Sequence, residues 1–184
     1  RQMCIRDRSR QTSSAASRPN RINMFRLIDS PLGPLCLQAS PRGLSRVDIT
    51  AASTPQEAVG GVDEGGVDKR SADVLDAAQA QLAEYFAGQR HAFELRLDPP
   101  ATTDFRAAVH AQLAEIGYGE TVTYRDVAKL LGRPGATRAV GSACGANPLL
   151  IVRPCHRVLR SDGGLGGYAG GLDAKRFLLT LEEN

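Results

Sequence analysis

The chain has 184 residues, of which 42% are hydrophobic and 23% are charged, and its formal net charge is +3. This is enough material for one medium-sized domain or two small ones around a real core. No stretch approaches the roughly 20 apolar residues of a membrane-spanning helix, which argues against an integral membrane protein.

The first 23 residues account for the positive charge. They hold six arginines and one aspartate, which leaves the rest of the chain near −2. The segment has no apolar core of the secretory kind, and an Arg/Ser-rich tail is compatible with a nucleic-acid-binding arm, a transit peptide or an upstream extension. Because the chain does not begin with Met and Met24 opens a strand, we expect residues 1–23 to be a disordered or non-native extension.

The cysteines are widely scattered and form no CxxC pair, which argues against a disulfide framework. With three histidines in the chain, no spacing resembles a structural zinc site and its four clustered ligands. We therefore expect no metal site and a reducing, cytoplasmic location. The cysteines are Cys4, Cys36, Cys144 and Cys155.

Residues 24–50 predict short strands separated by the turns "SPLGP" and "SPRG". Residues 51–70, rich in Ala, Gly and Asp, have no period and predict a surface loop. An amphipathic helix is predicted over 72–87, stopped by Gly88, and "AFELRL" at 92–97 is compatible with one more strand. The apolar face of the helix is formed by Leu75, Ala78, Leu82, Tyr85 and Phe86.

The sequence "DPP" at 98–100 is the best domain boundary, because consecutive prolines continue neither a helix nor an inner strand. We therefore predict an N-terminal α/β domain over 24–98 and a mostly helical C-terminal domain over 101–184. The first helix of that domain is capped by Thr102 or Thr103. Helical spacing predicts the inward positions of its first and last helices, namely Phe105, Val109, Leu113, Ile116, Phe177, Leu178 and Leu181.

Between them lies a candidate helix-turn-helix. Thr123 and Asp126 form a capping-box pattern, "RPGA" makes the turn, and "TRAVGSACGAN" forms the second helix. Such a match in isolation is more often a structural helix hairpin. Here, however, residues 125–160 carry a net +6, the footprint of phosphate contacts. Small side chains on the second helix favour sequence-independent binding in the minor groove, with Arg138 filling the stack left by a flipped base.

Cys155, beside His156 in "RPCHRV", is compatible with an inert buried thiol, a metal ligand, half of a disulfide or a nucleophile. A neighbouring imidazole with Arg153 and Arg157 would favour the thiolate, and the following glycine-rich loop offers free backbone N–H groups. A cysteine nucleophile needs a base, a role that His156 fits, and the base needs an orienting acid. Three acids are candidates: Glu182, Glu183 and Asp162.

The segments "RAVGSACGANP" (138–148), "PCHRV" (154–158) and "GGYAGG" (166–171) resemble the O6-alkylguanine-DNA alkyltransferases of bacterial type. The likeness covers about residues 102–182, and "DSPLGPL" and "YFAG" extend it loosely into the N-terminal half. The resemblance implies an α/β fold, with a small strand-rich ribonuclease-H-like N-terminal domain. It also implies a helical C-terminal domain with a winged-helix-like helix-turn-helix.

In this family the motif cysteine, here Cys155, irreversibly accepts the alkyl group of guanine O6. The resemblance implies that His156 takes the thiol proton through a water molecule and that Glu182, rather than Glu183, polarises the imidazole. Tyr124 would donate to the guanine ring as negative charge develops on the leaving base.

The resemblance also implies a set of substrate-binding residues. Arg138 would replace the flipped nucleotide, Asn147 would hydrogen-bond the turn between recognition helix and active site, and the backbone N–H groups of Cys155 and Ala169 would bind near O6. His110 stands where the family commonly has tryptophan, and we interpret it as structural. The other implied pocket residues are Tyr168, Val158, Gly141 and Ala143.

The expected function is single-turnover alkyl transfer from O6-alkylguanine, less efficiently from O4-alkylthymine, in duplex DNA to a cysteine of a monomeric methyltransferase. Two alternatives stay open: a DNA-binding damage sensor or regulator without chemistry, and a Cys–His hydrolase. A related group that only binds replaces the reactive cysteine with tryptophan, whereas this chain keeps Cys155.

Overall fold

The N-terminal half is an antiparallel meander covered by one helix. The computed structural model describes residues 23–51 and 68–183. Strands β1 (Met24–Ile28), β2 (Leu35–Ser40) and β3 (Gly43–Ile49) follow one another in the sheet, and α1 (Lys69–Phe86) packs against them. The predicted strands are confirmed, whereas most of the predicted loop, residues 52–67, lies outside the described residues.

Helix α1 begins three residues earlier than its apolar period predicts. The Asp68 carboxylate accepts a hydrogen bond from the backbone N–H of Ser71 at 2.8 Å and so caps the first turn. The helix stops before Gly88, whose φ of +70° is easy only for glycine. Its apolar face is buried against the sheet as expected, through Leu75, Ala78, Leu82 and Tyr85.

The strand predicted over 92–97 is wrong. Only Leu97 makes a bridge, to Leu44. Earlier in this segment, the Gln81 side chain of α1 hydrogen-bonds both backbone groups of Glu94. It accepts from the N–H at 2.8 Å and donates to the carbonyl at 3.1 Å. These groups are therefore satisfied by a side chain instead of by a neighbouring strand.

The C-terminal half is helical, as predicted, and its local capping signals are confirmed. The Thr103 hydroxyl caps the first helix, and both hydrogen bonds of the Thr123–Asp126 capping box are present. The elements are α2 (Asp104–Ala114), β4 (Val122–Thr123), α3 (Tyr124–Leu130), α4 (Thr137–Gly145), a 3₁₀ turn (Cys155–Arg157), β5 (Val158–Leu159) and α5 (Leu172–Glu182). The short strands β4 and β5 pair in parallel and bring the start of α3 beside the 3₁₀ turn.

The two halves are joined at β3. The Val47 N–H donates to the Pro148 carbonyl at 2.9 Å, and the Leu150 N–H donates to the Val47 carbonyl at 3.1 Å. The sheet of the N-terminal half thus holds the segment that runs from α4 to Cys155. This contact fixes where the cysteine stands relative to the helix pair.

The last helix differs from its prediction at one position. Leu178 is fully buried and Leu181 is partly buried, but Phe177 is 37% exposed and lies beside Phe86 of α1, with ring centroids 6.5 Å apart. Inward positions at this turn are occupied instead by Ala174 and Lys175. None of the helices in the described residues is long and apolar enough to cross a bilayer.

Candidate active site

Cys155 opens the 3₁₀ turn and is only 3% exposed. Its Sγ accepts a hydrogen bond from the Asn147 side-chain amide at 3.3 Å. Burial raises the pKa of this thiol, while the hydrogen bond from Asn147 and the positive charge of Lys175 oppose that rise. The resting group is therefore a buried thiol that contacts Asn147, and a base would have to remove its proton for the sulfur to act as a nucleophile.

Asn147 holds the turn between α4 and Cys155 with both ends of its amide. Its Oδ1 accepts from the Leu149 N–H at 3.1 Å. Its Nδ2 donates to the Arg153 carbonyl at 2.9 Å and to the Leu149 carbonyl at 3.3 Å, besides the thiol. The turn contact implied by the resemblance is present, and the contact with the sulfur extends it.

His156 is fully buried behind the cysteine, and Glu182 of α5 fixes its tautomer. The imidazole Nε2 lies 2.8 Å from Glu182 Oε1. Burial lowers the pKa of His156, and the bond to Glu182 partly opposes this, so the ring is neutral with its proton on Nε2. Nδ1, buried and without a hydrogen-bond partner among the described residues, is then the atom that can accept a proton.

The buried Glu182 carboxylate accepts hydrogen bonds from several side chains. Arg157 contacts it with two nitrogens, Nε to Oε2 at 2.7 Å and Nη2 to Oε1 at 2.9 Å, and the Tyr85 hydroxyl donates to Oε1 at 2.5 Å. Burial alone would raise the pKa of Glu182, but the bonds from His156, Arg157 and Tyr85 hold it well below its usual range. The carboxylate therefore stays charged and keeps His156 oriented.

The expectation that Arg153 and Arg157 favour the thiolate is wrong. Arg157 is committed to Glu182, and the Arg153 guanidinium points to His110, with Nη1 3.5 Å from Nδ1. The cation whose charge lowers the pKa of Cys155 is Lys175 of α5. Its Nζ donates to the carbonyls of Val158, at 2.7 Å, and of Leu165.

Tyr124 is the first residue of α3, and its ring is half-buried above the glycine-rich loop. Its hydroxyl donates to the Gly167 carbonyl at 3.4 Å. Burial and the neighbouring thiols Cys144 and Cys155 raise the pKa of Tyr124 to about 12. It is therefore a protonated donor at neutral pH, placed beside the cysteine.

The predicted pocket residues lie on α4, on β5 and on the loop before α5. The Tyr168 ring meets the His156 ring edge-on, 6.3 Å between centroids, and Val158 is buried in β5. Gly141 and Ala143 lie on α4, but Ala143 is fully buried, so a direct substrate contact through its side chain is not supported. Ala169 is exposed on the loop. The Cys155 N–H, expected to bind near O6, already donates to the Arg153 carbonyl at 2.8 Å, so that expectation is not supported.

Arg138 stands apart from these residues on the exposed face of α4. It makes no ion pair with any described residue. Of the other acids considered for orienting His156, Glu183 is exposed, and Asp162 is exposed and paired with Arg160 at 2.6 Å. The structure therefore brings Glu182, and neither of these two, to the imidazole.

Sequence reasoning missed Tyr85 and Lys175. A signal for the lysine was available. Leu178 and Glu182 follow Lys175 by three and seven residues, so the three side chains share one helix face. A charged residue on an otherwise inward face indicates a buried role. No local pattern pointed to Tyr85, which is 97 residues from its partner Glu182. Among the described residues, no group of three His, Cys, Asp or Glu side chains could hold a metal.

Two family models match the chain in succession. Residues 23–99 match the ribonuclease-like domain of 6-O-methylguanine DNA methyltransferase, and residues 104–184 match its DNA-binding domain. The methylated-DNA–protein-cysteine methyltransferase of Methanosarcina barkeri is 44% identical over 87% of this chain and 97% of its own length.

Solved structures agree. The O6-methylguanine methyltransferase of Mycobacterium tuberculosis superposes with a TM-score of 0.74 at 39% identity, covering 88% of this chain and 93% of that one. The same organism's OGT in complex with DNA gives a TM-score of 0.74 at 39% identity, covering 86% and 92%. On the domain models, the sequence identity and the shared fold, the chain belongs to the 6-O-methylguanine DNA methyltransferase family.

Proposed function

We propose that this protein repairs duplex DNA by moving an alkyl group from O6 of guanine, and less efficiently from O4 of thymine, to Cys155. The observation that carries the proposal is the buried relay in which Asn147 holds the thiol and Glu182 fixes the neighbouring His156 as a neutral base. The relatives named as methylated-DNA–protein-cysteine methyltransferases support it. The acceptor is part of the chain, so each molecule reacts once.

The chemistry begins with removal of the thiol proton. His156 Nδ1 takes it, through a water molecule as the resemblance implies, and the charge on Glu182 stabilises the resulting imidazolium. The positive charge of Lys175 stabilises the Cys155 thiolate. Glu182 and Lys175 thus raise the fraction of reactive sulfur without touching the substrate.

The thiolate then attacks the alkyl carbon. The S–C bond forms as the C–O6 bond breaks, and the electron pair moves into the guanine ring. Tyr124, held protonated, donates to a ring nitrogen as this charge develops. Overall, the proton of the Cys155 thiol ends on guanine and the alkyl group ends on sulfur, with no cofactor required.

The substrate is delivered by the helix pair. Small residues on α4 permit close approach to the minor groove, and the exposed Arg138 enters the stack when the alkylated base leaves it. Gly141 then faces the DNA, while Tyr168 and Ala169 enclose the flipped base. The side chains of Ala143 and Val158 are fully buried and are not part of this contact surface. We further propose a monomer with its domain boundary at 99–100, acting in the cytoplasm, where the thiol stays reduced.

Intact-protein mass after incubation with duplex DNA containing one O6-methylguanine tests the proposal. One methyl group per chain, mapped to Cys155, supports it. Cys155→Ser is expected to gain no methyl group yet bind DNA, and Cys36→Ser, a buried cysteine of β2, is the matched control that still reacts. Unchanged mass with intact DNA binding would instead indicate a sensor or regulator, and repeated turnover of an ester would indicate a hydrolase.

A further inference from the structure

A cavity of about 530 Å³ is lined by residues from both halves of the molecule. Its walls come from β3, from the proline-rich connection at 99–100, from the start of α2, and from both ends of the turn between α4 and Cys155. The volume falls in the range of small-molecule sites. The proposed alkyl transfer uses none of its side chains.

The ionisable residues that line this cavity are all basic. They are Arg46, Arg106, His110 and Arg153, and no carboxylate is among the described residues that line it. Arg46 is paired with Asp48 on its own strand. Neither Arg106 nor Arg153 forms an ion pair with a described residue. The cavity therefore holds two guanidinium charges, those of Arg106 and Arg153, that no described carboxylate pairs with.

The Arg153 guanidinium lies beside His110, which is 4% exposed. His110 Nε2 donates to the Ala143 carbonyl at 2.9 Å, because a carbonyl can only accept. Nδ1 is then an acceptor, and it faces the Arg153 guanidinium at 3.5 Å. The guanidinium of Arg153 has five N–H donors, and the contact with His110 uses only one of its nitrogens.

Arg153 is half-buried, and burial lowers its pKa. A desolvated guanidinium without a carboxylate carries a free-energy cost that a bound anion would offset. The planar fork of arginine matches the oxygens of a phosphate, and two such groups around one cavity are a common way to bind it.

We propose that this interdomain cavity, lined by Arg46, Arg106, His110 and Arg153, is a binding site for a phosphate group. The group belongs either to a free phosphorylated molecule or to a DNA backbone reaching past the helix pair. A phosphate there contacts the side chain of Arg153, whose carbonyl receives the Asn147 amide that also holds the Cys155 sulfur. Phosphate binding in the cavity is thus connected, through Arg153, to the turn that carries Cys155.

The test is a titration of the intact chain with inorganic phosphate at constant ionic strength, followed by calorimetry and by the NMR signals of His110. Saturable binding that shifts these signals is expected. Arg106→Gln and Arg153→Gln should each weaken it about tenfold, the loss of one charge-assisted hydrogen bond. Arg70→Gln, an exposed arginine of α1, is the matched control and should bind as the unsubstituted chain does.

No saturable binding, or equal binding by all variants with native circular dichroism, would overturn the proposal. Competition with undamaged duplex DNA shows whether the natural phosphate group belongs to DNA or to a free molecule. If the bound group is a backbone phosphate, DNA should displace inorganic phosphate. The slope of log DNA affinity against log salt concentration should also become shallower by about 0.9 in Arg106→Gln. Undisturbed phosphate binding indicates a free phosphorylated molecule. Both results support the site, and neither needs alkylated DNA, so the outcome is independent of the proposed repair reaction.

Discussion

The hydroxyl of Tyr85 in α1 donates a 2.5 Å hydrogen bond to Glu182 in α5, and both side chains are buried. Tyr85 belongs to the N-terminal half, whereas Glu182 orients the imidazole beside Cys155. The relay behind the cysteine is therefore completed by a residue from the other half of the molecule. In the proposed transfer, this gives the sheet domain a part in the chemistry beyond structural support.

Tyr85→Phe removes this bond without changing the packed volume. A hydrogen bond to a charged group is worth about 1.5–3 kcal/mol, and we expect the free energy of unfolding to fall by that amount. Single-turnover alkyl transfer should also slow, because Glu182 loses one of the donors that hold it. Chemical denaturation and rapid-quench kinetics measure the two effects.

The matched control is Tyr118→Phe. The Tyr118 hydroxyl donates to the neutral Leu181 carbonyl at 3.2 Å, so its loss should cost only about 0.5–1.5 kcal/mol and leave the transfer rate unchanged. Equal effects of the two substitutions on the rate would refute a role for Tyr85 in the relay.

Glu182→Gln should lower stability in a pH-dependent way. The pKa of Glu182 is held below its unfolded value of 4.5, so the folded state gains stability from this group above pH 4.5 and loses it as the pH falls through the lower folded value. We expect the stability difference between the two proteins to be largest near neutral pH and to shrink below pH 4.5. Urea denaturation from pH 7 to pH 3 measures this, with the exposed Glu183→Gln as control; a constant difference would contradict it.

Gly166→Ala tests the contact between the loop and Tyr124. An added Cβ would lie 2.7 Å from the Tyr124 hydroxyl, and φ at this position is +68°. Gly163 has a similar φ of +82° but open space around it. Both substitutions should lose about 1–2 kcal/mol of stability from the backbone alone. Only Gly166→Ala should also displace the tyrosine and slow transfer, and single-turnover rates that fall equally would show that the contact is irrelevant.

Arg138→Ala tests base flipping. The side chain is exposed on α4, so its removal should slow repair of duplex DNA far more than reaction with a free O6-alkylguanine base. Comparing the two second-order rate constants in parent and variant gives the answer. Equal losses would rule out the role of Arg138 in the stack, since the free base needs no flipping.

Local signals in the sequence were read correctly where the contacts that satisfy them are local. The Thr123–Asp126 capping box and the apolar face of α1 both depend on residues a few positions apart. The strand predicted at 92–97 failed because a distant side chain, Gln81, took the backbone groups that a neighbouring strand would have taken.

The sequence by itself indicated Cys155 and His156 as candidate nucleophile and base, through the family resemblance, and the helix pair that follows the capping box. Only the tertiary structure decided what surrounds them. Arg153 and Arg157 are four residues apart, yet the 3₁₀ turn sends one to the interdomain cavity and the other to Glu182. Tyr85 and Lys175 reach the site across long separations in the chain. Charge and hydrogen-bond partners act through distance in space, which periodicity and spacing along the chain do not encode.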